Sequence, residues 1–165
     1  MNLVVWVGKA RELMTSFDES IFKHPFFRGM RPEHLRLLAQ GARVRQFDVG
    51  ELLLREGEPA NQFYLIESGK IALEAHEPCN GTLLLQTLGA GDVLGWSWLF
   101  PPFTWHFQAK ATEPANVIIL DGAHLLSTSE RDHEFGFELM KRVAQVVIQR
   151  LQISRKRLVD AQPIG

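Results

Sequence analysis

The first forty residues carry apolar positions at helical spacing: Leu13, Phe17 and Ile21, then Leu35, Leu37 and Leu38 after Pro32, a residue suited to a helix start. From Arg43 the texture changes to brief apolar or alternating runs. They fall at residues 51–54, 63–66, 71–75, 82–88, 105–111 and 116–120, with Arg45 and Phe47 alternating ahead of the turn at Val49-Gly50-Glu51. Gly50, Gly57, Gly69, Gly81, Gly89 and Gly91 punctuate these runs in the rhythm of antiparallel sandwiches and barrels. The pattern predicts a mainly β chain, an antiparallel jelly roll (double-stranded β-helix), with short N-terminal helices and a long C-terminal helix. The organisation expected is N-terminal helices over 1–40, the roll over 41–121, and a hinge with the final helix over 122–160, all in one domain.

After Asp121-Gly122 the helical period returns, and from about 133 to 160 it runs without proline and is rich in Glu, Lys, Arg, Gln and Leu. Met140, Val143, Val147, Leu151, Ser154 and Leu158 recur at steps of three and four. Phe137, Leu139, Val146 and Ile148 widen the apolar surface beyond what one face against a barrel needs. The simplest cover for the excess is the same helix of a second copy, so a homodimer is expected, with Met140, Val143, Val147, Leu151 and Leu158 as its helix seam. A helix packed only on its own barrel is the alternative.

Composition narrows the chemistry. At 165 residues the chain buries a core without a staple, and 18 basic against 19 acidic residues leave no net field to attract a polyanion. Cys79 is the only cysteine, so the chain forms no internal disulfide; it lies in a hairpin turn with no activating cation beside it. His24, His34, His76, His106, His124 and His133 are scattered without His-x-His or i, i+4 pairing, and no Gly-x-Ser-x-Gly elbow or phosphate loop occurs, so neither a metal site nor an enzyme is expected. The apolar stretch at residues 1–7 has its charges, Lys9 and Arg11, behind it, and suggests a docking helix instead of a signal peptide. No run approaches a membrane span, and a soluble cytoplasmic protein is expected.

The order of motifs, Val49-Gly50-Glu51, Arg55-Glu56-Gly57-Glu58-Pro59-Ala60, Tyr64-Leu65-Ile66-Glu67-Ser68-Gly69-Lys70-Ile71 and Leu88-Gly89-Ala90-Gly91-Asp92-Val93-Leu94-Gly95, resembles the cyclic-nucleotide-binding domains of the catabolite activator and oxygen-response regulator family, over residues 21–158. The resemblance implies a regulatory sensor domain whose cradle between Gly95 and Ala111 grips a cyclic phosphate. A Gly-Glu pair opens a short helix there, and an Arg followed by Ser or Thr neutralises the anion, because an oxyanion is held by free N–H groups and a guanidinium fork. Gly95 matches. Trp96 stands at the Glu position, and counting back from Lys110 and Ala111 puts Trp105 at the Arg position and His106 at the hydroxyl position. No arginine occurs from Asp92 to Asn116, and Lys110 is the only Lys or Arg. Only a guanidinium from a distant stretch, Arg142 for instance, would restore ordinary second-messenger recognition.

Six of the sixteen aromatic residues instead crowd into residues 96–107: Trp96, Trp98, Phe100, Phe103, Trp105 and Phe107. In a strand, Trp105 and Phe107 share one face and His106 and Gln108 the other. The rings either line a pocket for a flat ligand or fill the space a nucleotide would take. On the first reading the ligand residues are Gly95, Trp96, Ser97, Trp98, Trp105 and His106, with Ser97 a helix-start cap or ligand donor and His106 a pocket donor. The ligand is then a small molecule, a cyclic nucleotide being possible but not favoured, and the domain signals through its C-terminal helix to a separate effector protein. On the second the protein is a ligand-free dimeric interaction scaffold. Relatives of this kind continue into a winged helix-turn-helix; this chain ends soon after Leu158, so DNA is not expected as a partner, and the basic run Arg155, Lys156, Arg157 is expected to be a solvated helix end.

Overall fold

The computed structural model describes residues 16–161 apart from Asn80. The suggested docking helix at 1–7 and the helical position Leu13 lie outside them. Helix α1 (Ser16–Lys23), a 3-10 turn (Pro25–Phe27) and α2 (Pro32–Ala39) precede eight strands, and α3 (Gly122–Arg131) and α4 (His133–Asp160) follow. The strands are β1 (Ala42–Phe47), β2 (Leu52–Leu54), β3 (Gln62–Ser68), β4 (Ile71–Glu77), β5 (Gly81–Leu88), β6 (Val93–Leu94), β7 (Gln108–Ala111) and β8 (Ala115–Asp121). They form two antiparallel four-stranded sheets, ordered β1-β8-β3-β6 and β2-β7-β4-β5, which is the predicted jelly roll.

Strands β3 and β8 sit inside the first sheet and read as near-continuous apolar runs because both faces are covered: Phe63, Tyr64, Leu65, Ile66 and Val117 to Leu120 are buried. Gly69 closes the β3–β4 turn at φ +87°, where a Cβ would stand 2.2 Å from the Pro114 carbonyl oxygen, so only glycine fits.

One expected strand is shortened. The run at 105–111 pairs only over Gln108–Ala111; Trp105 and His106 precede the strand. The reason is a local pairing that competes with the sheet. Trp105 donates its N–H to the Glu58 carbonyl (2.9 Å), and its own carbonyl accepts from Gly57 (2.8 Å), so this backbone belongs to the Arg55–Glu58 turn. The two-residue β6, opposite Tyr64 and Leu65, is too short for an alternating signal.

Helix α4 begins where the periodicity predicts it. Asp132 is its N-cap, its carboxylate accepting from the Phe135 N–H (3.0 Å), which holds the carboxyl below its ordinary value. Phe135, Leu139 and Val143 are buried, the Phe135 ring meeting His34 of α2 edge-on at 5.5 Å. The joint with α3 is held from beneath by α2: buried His34 Nε2 lies 3.4 Å from Asp132 Oδ2 and 2.8 Å from Arg31 Nη2, while Arg31 also pairs with Glu134 (2.8 Å). No helix among the described residues is long and apolar enough to cross a membrane.

Candidate functional site

The segment between β6 and β7 is built around Gly95. Its φ of +89° reverses the chain, and the space beside its Cα is already taken: an added Cβ would lie 2.8 Å from the Gln62 carbonyl oxygen, 2.9 Å from a Tyr64 ring carbon and 3.2 Å from the Trp105 ring. Gly95→Ala is therefore expected to cost at least about 2 kcal/mol of stability, from the left-handed backbone and the overpacking together, as measured by urea denaturation.

The three indoles occupy three different places. Trp105 is 4% exposed and enters the core, its ring tilted against Tyr64 at 6.3 Å between centroids. Tyr64 is fixed in turn, its hydroxyl 2.9 Å from the Leu53 carbonyl and 2.8 Å from Gln62 Oε1; burial pushes the phenol up to about 12, so it stays a neutral donor. Trp98 is buried under the start of α3, so close to Gly122 that a Cβ there would meet its ring at 2.8 Å, and its Nε1 has no hydrogen-bond partner. Trp96 is partly buried at the outer edge, where the Arg150 guanidinium lies over its ring at 4.6 Å.

The structure thus brings Gly95 and Trp105 together but sends the other predicted ligand residues elsewhere. Ser97 is the first residue of a single 3-10 turn, Ser97–Leu99; Trp96 takes the cap position, and no side chain caps the turn, contrary to the expected role of Ser97 as a cap. His106 is exposed, the strand face it was to share having been lost when Trp105 joined the Arg55–Glu58 turn. Phe100 and Phe103 point outward as well. In the seam of α4, Met140, Val147, Leu151 and Leu158 are exposed, whereas Val143 is buried within the protomer.

Arginine reaches this region from α4, at a position other than the one anticipated. Arg142 pairs with Glu138 (2.7 Å) and donates to the Arg28 carbonyl (3.0 Å). Arg150, two turns on, donates to the Val93 carbonyl and stacks on Trp96. The cleft that Arg150 lines, between α4 and the turn before β6, includes no residue from 95 to 111, and the guanidinium meets that segment at the Trp96 ring. Tyr64, Gly122 and Arg150 were not picked out from the sequence. For Arg150 no sequence signal exists, because its partner Val93 lies 57 residues away.

A family model, "Cyclic nucleotide-binding domain", matches residues 44–132, more than half of the chain. The CRP-like cAMP-activated global transcriptional regulator of Mycobacterium tuberculosis is 25% identical over 143 residues, covering 87% of this chain and 62% of its own length. The acetyltransferase Pat of Mycolicibacterium smegmatis is 36% identical over 70 residues, 42% of this chain and 21% of the enzyme. A solved chain from Geobacter metallireducens, described among the cyclic nucleotide-binding proteins, superposes with a TM-score of 0.72 at 28% identity, over 84% of this chain and 99% of that one. The chain spans less than two thirds of the curated relatives it matches. With a jelly roll of the same topology, a glycine-opened segment between β6 and β7, and a long helix laid against the roll, this chain belongs to the cyclic nucleotide-binding domain family.

Proposed function

We propose that this chain is a non-enzymatic regulatory sensor domain, dimeric through α4, in which a small planar ligand acts on the β6–β7 segment and the result is passed to a separate effector protein. One observation carries the reading. The segment touches both C-terminal helices, Trp98 against Gly122 at the start of α3 and Trp96 beneath Arg150 of α4. A ligand that displaces Trp105 from Gly95 shifts this short, tightly packed segment, and both helices move with it, since packed interiors transmit displacement instead of absorbing it.

Usual recognition of a cyclic nucleotide is not part of this proposal. The space beside Gly95 is walled by Tyr64 and Trp105, with no guanidinium among residues 92–116, and each hydrogen bond to a charged group that is missing there forgoes about 1.5 to 3 kcal/mol. Calorimetric titration with cyclic AMP and cyclic GMP is expected to give no binding in the micromolar range; micromolar affinity for either would restore the second-messenger reading.

A second reading is favoured by the burial of Trp98 and Trp105, whose rings lie within the protein's own core. On it the domain is a ligand-free dimeric scaffold. The two readings part on whether a flat aromatic compound stabilises the protein, which the sensor requires and the scaffold forbids.

A further inference from the structure

Arg150 is a partly buried cation whose Nη1 is shut off from solvent and whose hydrogen bonding is unfinished. Burial lowers its guanidinium to about 10, with the Asp92 carboxylate acting in the opposite sense. One terminal nitrogen donates to the Val93 carbonyl; the other, Nη1, has no partner. Asp92 also lines the cleft, but no hydrogen bond joins it to Arg150; its carboxylate accepts the Gly89 N–H at 2.8 Å. Nε of Arg142 is likewise buried and unpartnered. Both arginines line one cleft of about 310 Å³, together with the amides of Gln86, Gln145 and Gln149. Buried charges in folded proteins are ordinarily paired or bind a ligand, and unsatisfied polar atoms call for a partner.

We propose that this cleft is a binding site for a small organic oxyanion, a phosphate or a carboxylate, gripped by the Arg150 guanidinium. Arg142, two helical turns or about 12 Å away and already paired with Glu138, offers its unpartnered Nε at the other end. The volume suits a compact ligand, Pro25 and Phe26 supply an apolar wall, and the glutamines supply neutral donors. Nη1 is shut off from solvent where it stands, so the guanidinium swings from the Val93 carbonyl and the Trp96 ring to meet the anion. Binding then changes the surroundings of an indole in the β6–β7 segment. No residue from 95 to 111 lines the cleft, and the test does not depend on whether a flat ligand enters the roll.

The test is a titration of the whole chain with sodium pyrophosphate and, separately, sodium citrate, at fixed ionic strength, followed by tryptophan fluorescence and by calorimetry. The expected result is saturable binding of at least one of them, and the preferred probe tells phosphate from carboxylate. Trp96→Phe removes the optical change while the calorimetric signal persists. Arg150→Gln weakens binding by at least about tenfold, and Arg150→Lys, which keeps charge but loses the fork, weakens it as well; Arg36→Gln, on the exposed side of α2, leaves it unchanged. Absence of saturable binding by either anion in protein that is folded by circular dichroism overturns the proposal. So does equal affinity in the wild type and in whichever Arg150 variant remains folded.

Discussion

Trp105→Ala is expected to lower the free energy of unfolding by about 3 to 5 kcal/mol, the range for removing a large aromatic side chain from a close-packed core. The ring is 4% exposed and stands against both Tyr64 and Gly95, so the loss leaves a cavity walled by a phenol and a backbone held at φ +89°, neither of which collapses readily into it. Urea unfolding followed by circular dichroism measures the cost. A loss under about 1 kcal/mol would mean that the ring is not part of the core. The same variant separates the two functional readings. Apolar cavities left by core truncation accept flat aromatic molecules, and added indole is expected to recover part of the lost stability. If indole or a similar planar compound also raises the midpoint of the wild type, Trp105 yields to a ligand, as a sensor needs; if only the variant responds, the native ring is a permanent filler.

Leu151→Glu is expected to raise the dissociation constant of the proposed dimer by about a hundredfold or more, equivalent to about 2.8 kcal/mol, while leaving the fold of the protomer intact. Leu151 is 68% exposed, and Met140, Val147 and Leu158 lie along the same stripe, so a carboxylate there costs nothing in the separated protomer and is buried unpaired in the pair. Sedimentation equilibrium of the wild type and the variant at equal concentration reads the shift directly. An unchanged association state would remove α4 as the dimer surface and leave its exposed apolar stripe to another partner.

The division of α4 into two apolar faces shows where periodicity stops being informative. Met140, Val143, Val147, Leu151 and Leu158 follow one another at steps of three and four, and the repeat alone assigns them to one seam. In the folded chain Val143 is buried at 2% exposure, as are Phe135 and Leu139, while its seam neighbours are exposed. A helix of 28 residues carries more apolar surface than the roll covers, and which residues fall on which side depends on how the roll seats the helix. His34 and Arg31, far back in the sequence, set that seating through Asp132 and Glu134.

Most of the strands, the glycine turns, the long helix and the missing arginine in the β6–β7 segment were determined by sequence alone, because each is a local matter of side-chain period, backbone freedom or residue identity within a short window. The destinations of Trp96, Trp98 and Trp105, the loss of His106 from the strand face and the arrival of Arg150 were decided only by tertiary structure. Each depends on a competition between partners distant in the chain. The Arg55–Glu58 turn takes the Trp105 backbone from the sheet, Gly122 opens the slot for Trp98, and α4 lays Arg150 across Trp96, contacts that no pattern of neighbouring residues encodes.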